Sequence, residues 1–210
     1  MTIIEILTYI GLPFLAFLAG SIPFGLVLTT VFSDLDIRTQ GSGNIGATNV
    51  LRSAGVKLAL MTLFLDALKG ALPVCLAVYW VKSPESWVNA YPFLVAIAAF
   101  LGHLYPIYFR LRGGGKGVAT AWGCFLALSP VSALTALLVF VMVVVMFKRV
   151  SLASLSAAAI LPISIWFATH ALLVTLFATV ITLLIVHRHR QNIVRLLQRK
   201  EPAIWGSQKR

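Results

Sequence analysis

The chain has 210 residues, 60% hydrophobic and 11% charged, with a mean hydropathy of +0.94. A soluble domain of this length carries roughly a quarter charged residues, so the composition excludes an ordinary soluble fold and points to an integral membrane protein. The net charge of +11 comes from 17 Lys and Arg against six Asp and Glu. The cations sit in short connectors between apolar runs, which fits anionic lipid and anionic substrates better than nucleic acid.

The first apolar span covers residues 3–31. It follows Met1-Thr2-Ile3-Ile4-Glu5 without a basic leader, so it reads as a retained helix and not as a cleaved signal. Ser33-Asp34-Leu35-Asp36-Ile37-Arg38 breaks it, with Asp34 and Asp36 read as a solvated turn. A second span runs from Val56 to Trp80 and ends at a polar connector around Lys82-Ser83-Pro84-Glu85. The third covers 88–109. The fourth, Val118 to Leu128, is too short to cross a bilayer as a straight helix, since spanning takes about 17–25 residues. It starts above the surface or is tilted or broken.

A fifth span covers 131–147 and closes at Lys148-Arg149; a sixth covers 152–168 and a seventh 171–186, hinged at Ala168-Thr169-His170. The tail is basic from His187 to Lys209-Arg210. The expected fold is an all-α membrane protein of about seven transmembrane helices, in one domain over residues 1–210. Grouping the connectors at 32–55, 110–117 and 148–151 with the tail gathers the great majority of the cations on one side. That side is cytoplasmic by the charge rule, which puts the N-terminus outside and the C-terminus inside. Gly20, Ser21, Gly25, Ser151, Ser154 and Ala158 are small enough to let helix backbones meet. Cys75 and Cys124 read as small buried hydrophobes.

Three polar motifs fall on the basic side, which suggests one composite site. The first, Gly41-Ser42-Gly43-Asn44-Ile45-Gly46-Ala47-Thr48-Asn49-Val50-Leu51-Arg52, contains a literal G-x-G-x-x-G with Asp66 twenty residues beyond. A dinucleotide fold needs a strand before it, and membrane spans flank it here. Its glycines still allow backbone N–H groups to approach an anion. Thr48 or Asn49 can cap the second span, Arg52 can fork onto a phosphate, and Ser42 and Asn44 add neutral contacts. The second motif, Arg110-Leu111-Arg112-Gly113-Gly114-Gly115-Lys116-Gly117-Val118-Ala119-Thr120, joins flexible glycines and one lysine to a helix start. It is not a Walker A loop, because Gly117 stands where Ser or Thr should follow the lysine. The third, His189-Arg190-Gln191-Asn192-Ile193-Val194-Arg195-Leu196, sets His189, Asn192 and Arg195 on one helical stripe, and a neutral His189 is a candidate base.

Plainer readings fit these residues as well: a capped turn, a basic turn at lipid headgroups, and a basic juxtamembrane helix. His103 reads as a packed intramembrane donor. Asp66 and Lys69, three apart in an apolar span, must pair with each other or with the first motif. No residue pattern suits a metal, and no cofactor is implied.

Together the three motifs resemble the signatures of the bacterial acyl-phosphate:glycerol-3-phosphate acyltransferases, the PlsY family. The likeness is carried by Gly41-Ser42-Gly43-Asn44 through Arg52, by His103-x-x-Pro106 leading to Gly114-Gly115-Lys116-Gly117, and by His189-Arg190-x-Asn192-Ile193-x-Arg195. Phe64 to Gly70 and Val150 to Ser154 are similar too. The resemblance implies an inner-membrane enzyme with seven spans and its active site at the cytoplasmic face, and a monomer is expected. Acyl phosphate and glycerol 3-phosphate would be the substrates, membrane lipids the surroundings, and lysophosphatidate and phosphate the products. It implies catalytic roles for Ser42, Arg52, Lys116 and His189. Gly41, Gly43, Asn44, Thr48, Asn49, Gly114, Gly115, Gly117, Arg190, Asn192 and Arg195 would bind substrate. The segment between Pro106 and Lys116 is one residue longer than the family pattern, which leaves the register of Arg110 and Arg112 open. Rival readings are an organic-phosphate transporter, which would put its site near the midplane between repeated halves, and an acyltransferase fed by acyl-CoA or acyl carrier protein.

Overall fold

The computed structural model describes residues 7–80 and 90–204. The start of the first span, the Lys82–Glu85 connector, the opening of the third span and the Lys209-Arg210 end lie outside them. Among the described residues every regular element is helical. The chain packs as two compact units, Met1–Pro130 and Val131–Arg210.

In the first unit a π-helical turn, Leu7–Gly11, leads into α1 (Leu12–Ser21), which is followed by α2 (Phe24–Ser33). The sequence reads these as one span. Instead they bend by 41° at Ile22-Pro23, where the proline ring fixes the backbone and withholds an N–H from the helix ladder. Then come α3 (Ala47–Ala54), α4 (Val56–Trp80), α5 (Tyr91–Leu104) and α6 (Val118–Leu128). The expected cap of the second span also differs. Thr48 and Asn49 lie inside α3, whose N-cap is Gly46, and Gly55 separates α3 from α4 with a φ of +89°.

Of the described unit-1 helices, α4 contacts the most partners, packing against α1, α2, α3, α5 and α6. The closest crossings are reciprocal. A Cβ at Gly20 of α1 would strike the Ala99 carbonyl of α5, and one at Gly102 of α5 would strike the Phe17 carbonyl of α1. Likewise Gly70 of α4 faces the Thr120 carbonyl, while Gly123 of α6 faces that of Ala67. Backbone-to-backbone contact of this kind gives dispersion without a hydrophobic driving force, as membrane helices require. Gly25, in turn, meets the Ile45 carbonyl of the first motif. One core cluster joins the small residues Ala16, Ala96, Ala99 and Cys124 to Val74, Tyr91 and Val95, and a second, of Leu28, Ile37, Ile45 and Val50, lies under the first motif. Cys124 is buried as expected, but Cys75 is exposed, on the outward side of α4. In a bilayer that side meets lipid, where a thiol is tolerated as a small apolar group.

The second unit contains α7 (Pro130–Phe147), α8 (Val150–Thr169), α9 (Leu172–Arg188) and α10 (Arg190–Leu197). His170, left-handed at φ +50°, ends α8 at the expected hinge. α9 packs along α8, and α10 turns by 62° from α9 to touch both. Ser151, Ser154 and Ala158 are buried on α8, and the Thr182 hydroxyl of α9 donates to the Ala158 carbonyl at 2.8 Å.

Among the described residues four segments, Val56–Trp80, Tyr91–Phe109, Pro130–Phe147 and Val150–Thr169, are long and apolar enough to cross a membrane; counting each bent pair as one span gives six. α6 is apolar but only 11 residues long, about 16 Å against a hydrocarbon core of about 30 Å.

Candidate active site

The first motif is a loop built around one amide. Asn49, 2% exposed, sits in the first turn of α3 and points back beneath the preceding residues. Its Nδ2 donates to the carbonyls of Ile37 (3.2 Å), Gln40 (3.0 Å) and Asn44 (2.9 Å). Its Oδ1 accepts the Ser42 N–H at 3.0 Å. Asn49 thereby holds the loop together, because its amide can satisfy backbone groups that no helix or sheet reaches. Gly41, at φ +55°, leaves no room for a side chain against that Oδ1.

Around this centre, Asn44 Oδ1 accepts the Gly46 N–H at 2.9 Å and shapes the entry to α3. Ser42 and Arg52 are exposed, and Thr48 and Gly43 are half-buried. The loop therefore presents a hydroxyl, a guanidinium and the N-terminus of α3, where the first N–H groups lack intrahelical partners. Asp36 and Arg38 form the expected solvated turn through an exposed ion pair at 2.7 Å. Hydrogen bonds from the Arg38 side chain and backbone hold the Asp36 carboxyl down at about 2. The Arg38 guanidinium also lies 5.5 Å from the Phe109 ring centre, tying this loop to the end of the third span.

The glycine-lysine loop is seated on the end of α5. A short 3-10 turn, Ile107–Phe109, comes first. Arg110 and Leu111 then take left-handed conformations (φ +53° and +62°), and Gly113 a third (φ +70°). Arg110 and Arg112 both lie on the exposed side of this coil. Gly114 and Gly115 are buried against His103 and Leu104, where side chains would collide. Lys116 is half-buried, and Gly117 (φ +82°) turns the chain into α6.

In the second unit His189 is the joint between α9 and α10, and 2% exposed. Its Nδ1 lies 2.8 Å from the Ile185 carbonyl, which can only accept, so Nδ1 carries the proton and Nε2 is the basic nitrogen of the neutral ring. Arg190 is exposed. Asn192 and Arg195 share a face as the helical spacing predicts, but a carboxylate already occupies that face. Asn192 Nδ2 donates to Glu201 Oε1 at 2.6 Å, and Arg195 Nε to Oε2 at 2.7 Å. Glu201 thus braces the two residues that the helical stripe offers to a substrate. Burial pushes the Glu201 carboxyl up, but the hydrogen bonds of Asn192 and Arg195 and the nearby Ser151 hydroxyl outweigh it and bring it below its ordinary value. The Ile204 N–H donates to the Lys148 carbonyl at 2.9 Å, so the segment after α10 is pinned at both ends. Glu201 stands outside all three sequence motifs. Its signal was its isolation, as the single acid beyond Glu85 in a basic tail.

Among the described residues no cluster of His, Cys, Asp and Glu could hold a metal.

Residues 10–199 match the family model for glycerol-3-phosphate acyltransferase, which reaches across both units and includes all three motifs. A glycerol-3-phosphate acyltransferase of Syntrophotalea carbinolica is 48% identical over 186 residues, covering 89% of this chain and 92% of that protein. One from Geotalea daltonii is 46% identical over 192 residues, covering 91% and 93%. The crystal structure of PlsY, described as an integral membrane glycerol 3-phosphate acyltransferase, superposes in its glycerol 3-phosphate form with a TM-score of 0.85. That match is 40% identical and covers 94% of this chain and 96% of PlsY. Its lysophosphatidic acid form gives 0.83. The chain thus belongs to the integral membrane glycerol-3-phosphate acyltransferase family.

Proposed function

We propose that this protein moves the fatty acyl group of acyl phosphate to the 1-hydroxyl of sn-glycerol 3-phosphate, yielding lysophosphatidate and inorganic phosphate. It acts as a monomeric seven-span protein of a bacterial inner membrane, N-terminus outside and active face cytoplasmic. The observation that carries the reading is the family match over residues 10–199, which takes in Ser42, Arg52, Lys116 and His189. The relative crystallised in glycerol 3-phosphate and lysophosphatidic acid forms supports it, since these are acceptor and product of the same transfer.

The chemistry suits the residues. Acyl phosphate is an activated donor, so the protein must orient two phosphorylated molecules and offset their charge more than supply a nucleophile. Arg52 and Lys116 hold phosphate groups, helped by N–H groups of the glycine segments, and Ser42 positions a substrate oxygen. The glycerol hydroxyl attacks the acyl carbonyl carbon, the bond from that carbon to the phosphate oxygen breaks, and phosphate leaves. The hydroxyl proton passes to a substrate phosphate or to His189 Nε2.

Purified protein given glycerol 3-phosphate and one donor at a time tests the donor: product with acyl phosphate supports the reading, and product with acyl-CoA alone overturns it. A stable acyl-Ser42 adduct would contradict direct transfer. Near-normal turnover of His189→Asn would exclude His189 as sole base.

A further inference from the structure

The first unit holds a set of charged and polar groups inside its helices that the proposed chemistry leaves unused. Asp66 and Lys69 of α4 are 3% and 6% exposed and pair with each other, Nζ to Oδ1 at 2.8 Å. Lys69 also donates to the Ile22 carbonyl at 2.7 Å, at the break between α1 and α2, and its ammonium lies 5.6 Å from the Phe24 ring centre. On the other side of the same carboxylate, His103 Nδ1 stands 3.7 Å from Asp66 Oδ1. That distance exceeds a direct hydrogen bond, and the carboxylate draws the ring as an ion pair only when the imidazole is protonated.

His103 in turn carries the glycine-lysine loop. Its carbonyl accepts the Gly115 N–H at 3.2 Å. A Cβ on Gly115 would collide with the imidazole at Nε2, Cε1 and Cδ2, so the glycine rests directly on the ring. A Cβ on Gly114 would likewise strike the carbonyls of Leu104 and His103. Lys116 is the next residue after this seat. A membrane protein keeps such a costly pair when the pair does something that apolar residues cannot. A carboxylate that fixes the azimuth of an imidazole fixes the surface on which the loop lies.

We infer that Asp66 and His103 are positioning residues, with Asp66 orienting the His103 ring as the seat of the Gly114-Gly115 segment and so setting where Lys116 meets a substrate phosphate. The inference rests on the proposed phosphate-holding role of Lys116. It makes the break of the first span, through Ile22 and Lys69, the far anchor of the same chain of contacts.

The test uses full-length protein in lipid nanodiscs, with two readouts: hydrogen exchange of amides 113–117, and KM and kcat for each substrate. His103→Leu keeps bulk beneath Gly115 but cannot engage Asp66, while His103→Asn restores an N–H on that side. His103→Leu should speed exchange of the loop roughly tenfold and raise one substrate's KM by a similar factor, with kcat within about twofold, and His103→Asn should recover most of both. Asp66→Asn should match His103→Leu. It strands the Lys69 charge and can fail to fold, so Asp66→Asn/Lys69→Met, which removes both charges, serves as its second form. Wild-type loop exchange in folded His103→Leu protein overturns the inference. So does a raised KM in Lys116→Ala together with an unchanged KM in His103→Leu. Faster loop exchange with KM unchanged in both Lys116→Ala and His103→Leu would uphold the positioning and refute the role of Lys116.

Discussion

The first motif and the C-terminal segment solve one problem in two ways. Each must hold polar donors on a short helix at the edge of an apolar protein. The first is organised by a neutral amide: Asn49 uses both ends to bind four backbone groups within one loop. The second is organised by a carboxylate: Glu201 gathers Asn192 and Arg195 from α10. An amide satisfies donors and acceptors together, whatever the pH. A carboxylate only accepts, but it bonds more strongly and neutralises a cation. The second arrangement is therefore the one that acid should loosen.

The largest effect expected is at Asn49. Asn49→Ala orphans three carbonyls and one N–H, at about 1 kcal/mol or more apiece where water cannot replace the amide. A loss of roughly 2–4 kcal/mol in stability and at least about 100-fold in turnover should follow, measured by thermal unfolding and phosphate release. Next comes Glu201→Gln, which keeps shape but leaves one accepting oxygen, so one of the two charge-assisted hydrogen bonds is weakened and the other is replaced by two opposed N–H donors. About tenfold lower turnover and roughly 1–3 kcal/mol of stability should be lost.

A smaller effect, and a sharper contrast, is in pH. The folded Glu201 carboxyl lies below its ordinary 4.5, so its stabilisation is complete above that value and is lost as pH falls through the lower folded value. The wild-type melting temperature should therefore drop below about pH 4.5 by an amount that Glu201→Gln does not show. The Asp36 contribution is complete above its ordinary 3.8 and is lost as pH falls toward about 2. Smallest of all is Asp36→Asn at neutral pH. Its ion pair is exposed, so turnover should change by less than about twofold.

The same contrast explains what the sequence revealed. α4 and α6 begin and end where the apolar runs do, at Val56–Trp80 and Val118–Leu128, because charge and Ser-Pro or glycine punctuation bound them. The pairing of Asp66 with Lys69 was legible because buried charges one turn apart have few other options. The break at Ile22-Pro23 was written in the proline but hidden by unbroken hydropathy on both sides. Gly70, Gly102 and Gly123 went unseen as crossing points because a lone glycine in an apolar run does not name its partner helix. The four loop bonds of Asn49 were not legible, because polarity in a loop signals interaction and only the folded loop shows which backbone groups it reaches. Glu201 lies beyond the helical stripe it completes, and no periodicity reaches it.

The central claim is that the acyl group leaves phosphate and arrives on glycerol 3-phosphate without a thioester. It is tested most directly by following wild-type protein with acyl phosphate and glycerol 3-phosphate by phosphorus NMR. The acyl phosphate signal should decay as inorganic phosphate and lysophosphatidate rise together, one for one. Lysophosphatidate appearing only when an acyl thioester is supplied, or phosphate released with no lysophosphatidate formed, would contradict it.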